Sequence, residues 1–259
     1  DMTTILHKNF TMTYDTNIPR MVGLSGSSAL IVAAFRSLLC FYDISIDDLS
    51  ISQEYFPQVI LDIEKNELRI NAGLQDRVIQ VYGGLVHMDF SKEYFEAKGT
   101  GTYTKLDASL LPNLYLVYCI DVGSDSGQVH STVKERWQRR DPELVEGMKF
   151  LGSLADKAKQ CLQNSRDCNV LSDLMDQNFA MRRKLYGDQV VGAKNIQCIE
   201  LANSLGMAAK FTGSGGAMIC LPRRKQSGWL DDVVEATATD KFREMGFSMI
   251  RIEPSNENI

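Results

Sequence analysis

The stretch Ile18-Pro19-Arg20-Met21-Val22-Gly23-Leu24-Ser25-Gly26-Ser27-Ser28-Ala29 leads from a short strand-like run, through a loop of glycine and serine, into a long apolar segment. Small residues let a backbone approach a ligand closely, and a helix start offers unpaired N–H groups at the positive end of its dipole. That combination suits a phosphate. The hydroxyls of Ser27 and Ser28, at the helix mouth, are oxygens that can hold a phosphate group or a magnesium ion. A serine-capped turn ahead of an ordinary core helix fits the same residues. The stretch alone leaves both readings open.

On its N-terminal side, residues 9–15 alternate Phe10, Met12 and Tyr14 with polar neighbours, the period of a half-buried strand. On its C-terminal side, residues 27–42 carry Leu30, Ala33, Ala34, Leu38 and Phe41 on one face and Ile31, Phe35 and Leu39 elsewhere, which predicts a helix buried nearly all round. Asp47-Asp48 opens a further helix, and Pro57 suits the first turn of one running through Ile60, Leu61, Ile63 and Glu64. Leu74, Val78 and Val81 recur at helical spacing ahead of Gly83-Gly84, with Asp76 and Gln80 on the opposite side. Residues 85–90 and 101–106 read as strands, with a polar loop over 91–99.

Leu110-Leu111-Pro112-Asn113 marks a boundary, after which residues 114–120 read as a strand. Helical patterns follow at 128–139, 142–164, 170–186 and 193–205. A second glycine-rich run, Lys210-Phe211-Thr212-Gly213-Ser214-Gly215-Gly216-Ala217, lies between the strand-like runs 207–211 and 218–221. A helix over 230–245 and a strand over 247–252 complete an α+β chain in two unequal halves.

The composition narrows the class. A net charge of −5 over 259 residues, with basic residues dispersed, gives no footprint for nucleic acid or an anionic membrane. The 6 cysteines form no C-x-x-C pair and the 3 histidines no ligand spacing, so a zinc site is not expected and the thiols read as reduced. No run of ~18 apolar residues is present to span a bilayer. The expectation is a soluble cytoplasmic protein with neither a nucleic-acid nor a membrane partner.

Neither glycine-rich run is a Walker A loop or a dinucleotide fingerprint. Pro19-x-x-x-Gly23-Leu24-x-Gly26-Ser27-Ser28-Ala29 instead resembles the phosphate-loop motif of the GHMP kinases, the superfamily of galactokinase, homoserine kinase and mevalonate kinase. Residues 210–217 resemble its C-terminal glycine motif, and Glu64-Lys65, Ala72-Gly73-Leu74-Gln75-Asp76 and Gly83-Gly84 are similar in order and spacing to its active-site run. Within the superfamily, residues 14–20, 72–78 and 81–90 look like those of plant-type glucuronokinases. So do Ser124-Asp125-Ser126-Gly127 with Val129-His130-Ser131, and the run 210–217.

The resemblance implies a two-domain fold: a ribosomal-protein-S5-like α/β domain over residues 1–110 and a ferredoxin-like α/β domain over 111–259. GHMP kinases carry another motif upstream, absent from this sequence, so the first domain is expected to lack its opening segment and the partner to be an N-terminal piece of the same protein. The implied chemistry is phosphoryl transfer from ATP to the anomeric hydroxyl of glucuronate, a small sugar acid. Asp76 is then the base. Ser28 and Glu64 are the implied Mg2+ ligands. Gly23, Leu24, Ser25, Gly26, Ser27 and Ser28 would wrap the nucleotide phosphates, and Gly213, Ser214 and Gly215 would close over them. The bland alternatives are a dipole-stabilised helix-start carboxylate for Asp76, a surface partner to Lys65 or Arg69 for Glu64, and a hairpin turn for 213–215. A uronate calls for a cation, and Arg77, Arg136, Arg182, Arg183 and Lys210 are candidates. Another sugar kinase, or a nucleotide-binding fragment without activity, remains the alternative to glucuronate phosphorylation.

Overall fold

The computed structural model describes residues 9–69, 72–119, 133, 135–213, 215–223 and 230–254. Their contacts divide the chain into two units, the first holding 9–19 and 25–104 and the second 20–24 and 105–254. The division at 104/105 precedes the expected cut at 110/111, and the segment 20–24 of the glycine-rich loop groups with the second unit.

In the first unit, α1 (Gly26–Tyr42), α2 (Phe56–Asp62) and α3 (Leu74–Tyr82) converge on Val32, Phe56, Ile60 and Val81, with Ile31, Phe35, Val59 and Tyr82 packed around them. The Phe35 and Phe56 rings meet at 5.1 Å, and Arg36 donates to the Val81 carbonyl at 3.1 Å near the end of α3. Helix α1 is not buried all round: within it only Ser28 and Val32 are buried, and Phe41 is exposed. One face packs on α2 and α3, and apolar content on the other faces is not itself a packing partner. At Pro57 α2 begins as expected, but after Asp62 the chain widens into a π turn, Ile63–Glu67, that carries Glu64.

Two strands, β1 (Leu85–Asp89) and β2 (Thr102–Leu106), form a two-stranded sheet. The expected polar loop between them is instead a short helix, α4 (Lys92–Lys98), with Ser91 ahead of it, Glu93 in its first turn, Lys98 in its last and Gly99 in the left-handed conformation after it. The expected strand over 9–15 is absent: these residues are exposed and join no sheet. Alternation supplies a face, but a strand also needs a hydrogen-bonded neighbour. Phe10 packs instead on the rings of Phe41 and Tyr42, at 5.3 and 6.4 Å.

The second unit is built on an antiparallel sheet in the order β4-β5-β3-β6, from β3 (Tyr115–Cys119), β4 (Met207–Phe211), β5 (Ala217–Pro222) and β6 (Phe247–Arg251). The register pairs Ala209 with Cys220 and Cys220 with Tyr115, so one sheet face presents Met207, Ala209, Phe211, Met218, Cys220, Tyr115, Val117, Phe247 and Met249. That face forms the core with Ile196, Cys198, Ile199 and Ala202 of α8 (Ala193–Ser204) and Ala238 and Phe242 of α9 (Asp232–Glu244). Lys210 falls on the opposite face by the two-residue period. Burial pushes the thiols of Cys198 and Cys220 up, the latter to about 12, so both act as small hydrophobes.

The helices α5 (Pro142–Asn164) and α6 (Cys168–Tyr186) form a hairpin, followed by the short α7 (Asp188–Val191). Asp141 caps α5 by accepting from the N–H groups of Glu143 and Leu144. A Cβ on Gly147 would lie 2.7 Å from the Leu185 methyls, which marks how closely α5 meets α6. Helix α6 also packs along β4, the edge strand of the sheet. Among the described residues no helix is long and apolar enough to cross a membrane.

Candidate active site

The loop is held open by its backbone. Met21, Gly23 and Ser25 adopt φ of 56°, 73° and 58°, the left-handed region that is costly for a non-glycine residue. Ser25 occupies the N-cap of α1 in that conformation and makes no side-chain cap, so the first-turn N–H groups are left uncapped. The helical ladder starts with Ala29 donating to the Ser25 carbonyl at 3.0 Å.

Glu64 is fully buried, delivered by the π turn. Its Oε1 accepts from the Ser27 hydroxyl at 2.8 Å, and its Oε2 takes both Nε and Nη2 of Arg77, itself buried on α3. Arg77 Nη1 donates to the Gly73 carbonyl at 2.9 Å and reaches the Asp76 carboxylate at 3.4 Å. Asp76, in the first turn of α3, keeps a side chain that is 50% exposed. A chain of contacts thus runs Ser27–Glu64–Arg77–Asp76. The alternative reading of Glu64 as a surface partner to Lys65 or Arg69 does not hold: its partner is Arg77.

The two serines are placed differently. Ser28, expected beside the metal, is buried and donates to the Ser25 carbonyl at 3.0 Å. Ser27, expected on the phosphates, is the hydroxyl that meets Glu64. Consecutive helical residues lie ~100° apart around the axis, so only one of the pair can face a given neighbour. A carboxylate and a hydroxyl are hard oxygen donors that suit Mg2+, with the rest of its shell left to phosphate oxygens and water. No cluster of three or more acidic, histidine or cysteine side chains occurs among the described residues, so the chain offers no all-protein cage. The donor set fits a cation shared with a nucleotide.

In the second unit the glycine-rich turn lies against residues 22–23 of the loop. Thr212 donates its hydroxyl to the Gly23 carbonyl at 3.1 Å. A Cβ on Gly213 would stand 3.2 Å from the Gly23 oxygen, and one on Gly216, at φ +86°, 2.9 Å from the Val22 Cα. Asn195 of α8 fixes the turn by accepting from the Gly216 N–H at 3.0 Å while donating to the Val191 carbonyl at 2.8 Å. Gly215 passes so near that a Cβ would be 2.6 Å from Asn195 Nδ2. Ser214 lies outside the described residues, as do Ser126, His130 and Ser131.

The candidate cations separate sharply. Arg77 is committed to Glu64. Arg136 bonds Asp141 at 2.6 Å and the Leu185 carbonyl at 2.5 Å, and Arg183 grips Asp188 through Nε and Nη2 at 2.6 and 2.7 Å. Arg182 has no acidic partner among the described residues: its Nη2 donates to the Gly213 carbonyl at 2.5 Å, and its guanidinium lies 5.2 Å from the Phe211 ring centre and 5.7 Å from that of Tyr186. Lys210 donates to the Phe211 carbonyl at 2.8 Å. Burial, then the neighbouring Arg182 charge, pushes the Lys210 ammonium down to about 8, and burial lowers Arg182 as well.

Comparison with known proteins places this geometry. Residues 2–84 match the model for the GHMP kinase N-terminal domain. The chain is 47% identical over 255 residues to "Glucuronokinase 1" of Arabidopsis thaliana, covering 96% of this chain and 67% of that protein. The chain belongs to the GHMP kinase family. It is also 52% identical over 213 residues to "Probable glucuronokinase 2" of the same plant, covering 82% of this chain and 57% of that protein. It therefore spans roughly three-fifths to two-thirds of these relatives' lengths. Among solved structures it resembles the mevalonate kinase of Methanococcus jannaschii, with a TM-score of 0.66 at 15% identity, covering 93% of this chain and 67% of that one. It likewise resembles a D-glycero-D-manno-heptose 1-phosphate kinase, with a TM-score of 0.58 at 13% identity over 93% of this chain and 66% of that one. These structural likenesses establish the two-domain α+β kinase fold.

Proposed function

We propose that the protein carrying this chain transfers the γ-phosphoryl group of ATP to the anomeric hydroxyl of D-glucuronate, giving glucuronate 1-phosphate and ADP. Identity to glucuronokinases along nearly the whole chain supports the substrate. The observation that carries the chemistry is the Ser27–Glu64–Arg77–Asp76 relay in the first unit. GHMP kinases use ATP, generally with Mg2+, and the proposal extends that requirement here.

Phosphoryl transfer asks a protein mainly to position groups and stabilise charge. Residues 23–28 present backbone N–H groups at an uncapped helix start, where phosphate oxygens are favoured. Gly213, Ser214 and Gly215 carry the glycine motif that the family resemblance assigns to nucleotide phosphates. Ser27 and Glu64 would hold the Mg2+, which when bound neutralises charge on the β- and γ-phosphates. Ser28 is assigned to shaping the loop, because its hydroxyl is spent on the Ser25 carbonyl.

Asp76 accepts the proton of the anomeric hydroxyl as that oxygen bonds to the γ-phosphorus and the bond from phosphorus to the bridging oxygen of ADP breaks. Its half-exposed carboxylate leaves room for a sugar, and Arg77 steadies it from the next position. Since Arg77 also spans Glu64 and the Gly73 carbonyl, it is assigned as the positioning residue for both carboxylates. The reaction is placed in the cytoplasm, where ATP is abundant. Incubating the intact protein with ATP, Mg2+ and a panel of uronates and neutral sugars tests the proposal. Formation of a 1-phosphate fastest from glucuronate is expected, and faster turnover of a neutral sugar overturns the substrate.

A further inference from the structure

The turn after β4 carries the glycine motif, and two helices of the second unit hold it from its two ends. At the far end Asn195 of α8 accepts from the Gly216 N–H at 3.0 Å. At the near end Arg182 of α6 donates through Nη2 to the Gly213 carbonyl at 2.5 Å, a charge-assisted bond. Arg136 and Arg183 are spent on Asp141 and Asp188, whereas Arg182 is spent on the backbone of the turn.

The guanidinium is aimed. Phe179, Arg182 and Tyr186 fall on one face of α6 at three- and four-residue spacing. Phe179 meets the Phe211 ring edge-on at 5.5 Å, and the Arg182 guanidinium lies 5.2 Å from the centre of that same ring and 5.7 Å from that of Tyr186. A planar cation held against two rings keeps one orientation of its N–H edge. The carbonyl it meets belongs to the residue that abuts the loop. A Cβ on Gly213 would stand 3.2 Å from the Gly23 oxygen, and Thr212, one residue earlier, donates its hydroxyl to that oxygen at 3.1 Å. Residues 20–24 and 105–254 belong to one unit, so the contacts Arg182–Gly213–Gly23 lie wholly within it. The loop needs such a hold. Met21 and Gly23 lie at φ of 56° and 73°, and a left-handed methionine persists only where its surroundings over-determine it. Val22 between them is buried, and a Cβ on Gly216 would come within 2.9 Å of its Cα.

We infer that Arg182 is a positioning residue for nucleotide binding: by holding the Gly213 carbonyl it keeps the glycine turn against Val22 and Gly23 and so preserves the strained course of the loop. This rests on the proposal above that loop and turn receive the phosphates of ATP. It assigns Arg182 to the nucleotide and not to the acceptor sugar. Arg182→Met, Arg182→Gln, Arg182→Lys and Thr212→Val in the intact protein test it, by steady-state kinetics and by equilibrium titration with ADP and Mg2+. Arg182→Met is expected to raise the KM for ATP and the dissociation constant for ADP about tenfold, the lower end for a lost hydrogen bond to a charged group. The KM for glucuronate stays within about twofold. Arg182→Gln behaves alike and takes its place where the methionine variant does not fold. Arg182→Lys keeps a charged donor and recovers most of the affinity. Thr212→Val, of the same shape, raises the ADP dissociation constant roughly fivefold. The double variant Arg182→Gln/Thr212→Val raises it by less than the product of the two, because both act through the hold on Gly23.

An unchanged ADP dissociation constant in folded Arg182→Met or Arg182→Gln overturns the inference, as does a rise confined to the KM for glucuronate, which would assign the guanidinium to the sugar. A fall in kcat with both KM values unchanged overturns it too, since a merely structural arginine lowers the active fraction alone. Full multiplication of the two effects in the double variant does the same. A wild-type protein that binds no ADP overturns the proposed reading of the loop itself. That result precedes any variant, so the two failures are distinguishable.

Discussion

Glu64 in the first unit and Lys210 in the second are both charged groups taken out of water, and their surroundings are opposites. Glu64 has both oxygens engaged, by the Ser27 hydroxyl and the Arg77 fork. Lys210 feels the like charge of Arg182 and, among the described residues, is bonded to a carbonyl alone. A buried pair offsets its own desolvation within the chain, so the first cluster is at rest without ligand. A like-charged pair lacks that offset. One region balances its buried charge within itself. The other carries a charge that its own surroundings leave unbalanced.

The largest test falls on the first region. Asp76→Asn is expected to lower kcat by ~10²- to 10⁴-fold with little change in either KM, the range for loss of a general base. Steady-state kinetics decide it, and turnover within a few-fold of wild type removes Asp76 from that role. Next, Arg77→Met leaves Glu64 buried without its counter-ion and should cost about 3–5 kcal/mol in urea unfolding. Adding Glu64→Gln to that variant should recover most of the loss. If the single change costs under ~1 kcal/mol, the first region is not the self-balanced cluster described.

Gly216→Ala, at φ +86° with a Cβ 2.9 Å from the Val22 Cα, tests the scaffold of the second region. A loss of about 1–3 kcal/mol in the same unfolding experiment is expected, and a neutral result would mean the turn can back away from the loop. The smallest effect has the opposite sign. Lys210→Met should stabilise the ligand-free protein by roughly 1 kcal/mol at pH 7, after allowance for solvent screening.

The pH dependence follows from the depressed Lys210 value, with Arg182 as the charged group facing it from α6. Between about 8 and the ordinary 10.5 the folded protein binds fewer protons than the unfolded chain. Stability from this group therefore rises with pH across that window and is at its lowest below about 8. Urea unfolding at pH 7 and pH 9 checks the trend.

Much of this was legible in the sequence where local chemistry decides structure. Asp141-Pro142 announces α5, and the structure keeps both its bounds, Pro142 and Asn164. The four- and three-residue spacing of Leu74, Val78 and Val81 gave α3 and put Asp76 in its first turn. The strands β4 and β5 flank the glycine turn as their apolar runs predict. Where a neighbour decides, the sequence was silent. Residues 9–15 have the alternation of a strand but, among the described residues, no strand beside them. Lys92–Lys98 has caps and helix formers but no buried face, so its polarity reads as loop. Ser27 and Ser28 are chemically alike, and only their rotation about α1 shows which meets Glu64. The pairing of Arg77 with Glu64 crosses 13 positions and has no local signature beyond the arginine's place next to Asp76.

The π turn at Ile63–Glu67 gives the first unit a sensitivity to chain length rather than to residue identity. A π turn holds one residue more than the α turn it replaces. Deleting a single residue there would let α2 continue as an ordinary helix and swing the following side chain by ~100° about the axis. Glu64 would keep its chemistry and lose its address, pointing away from Ser27 and Arg77 with every functional side chain still present. Such a shortened protein should fold and still fail as a kinase, a loss that no scan of substitutions would reveal.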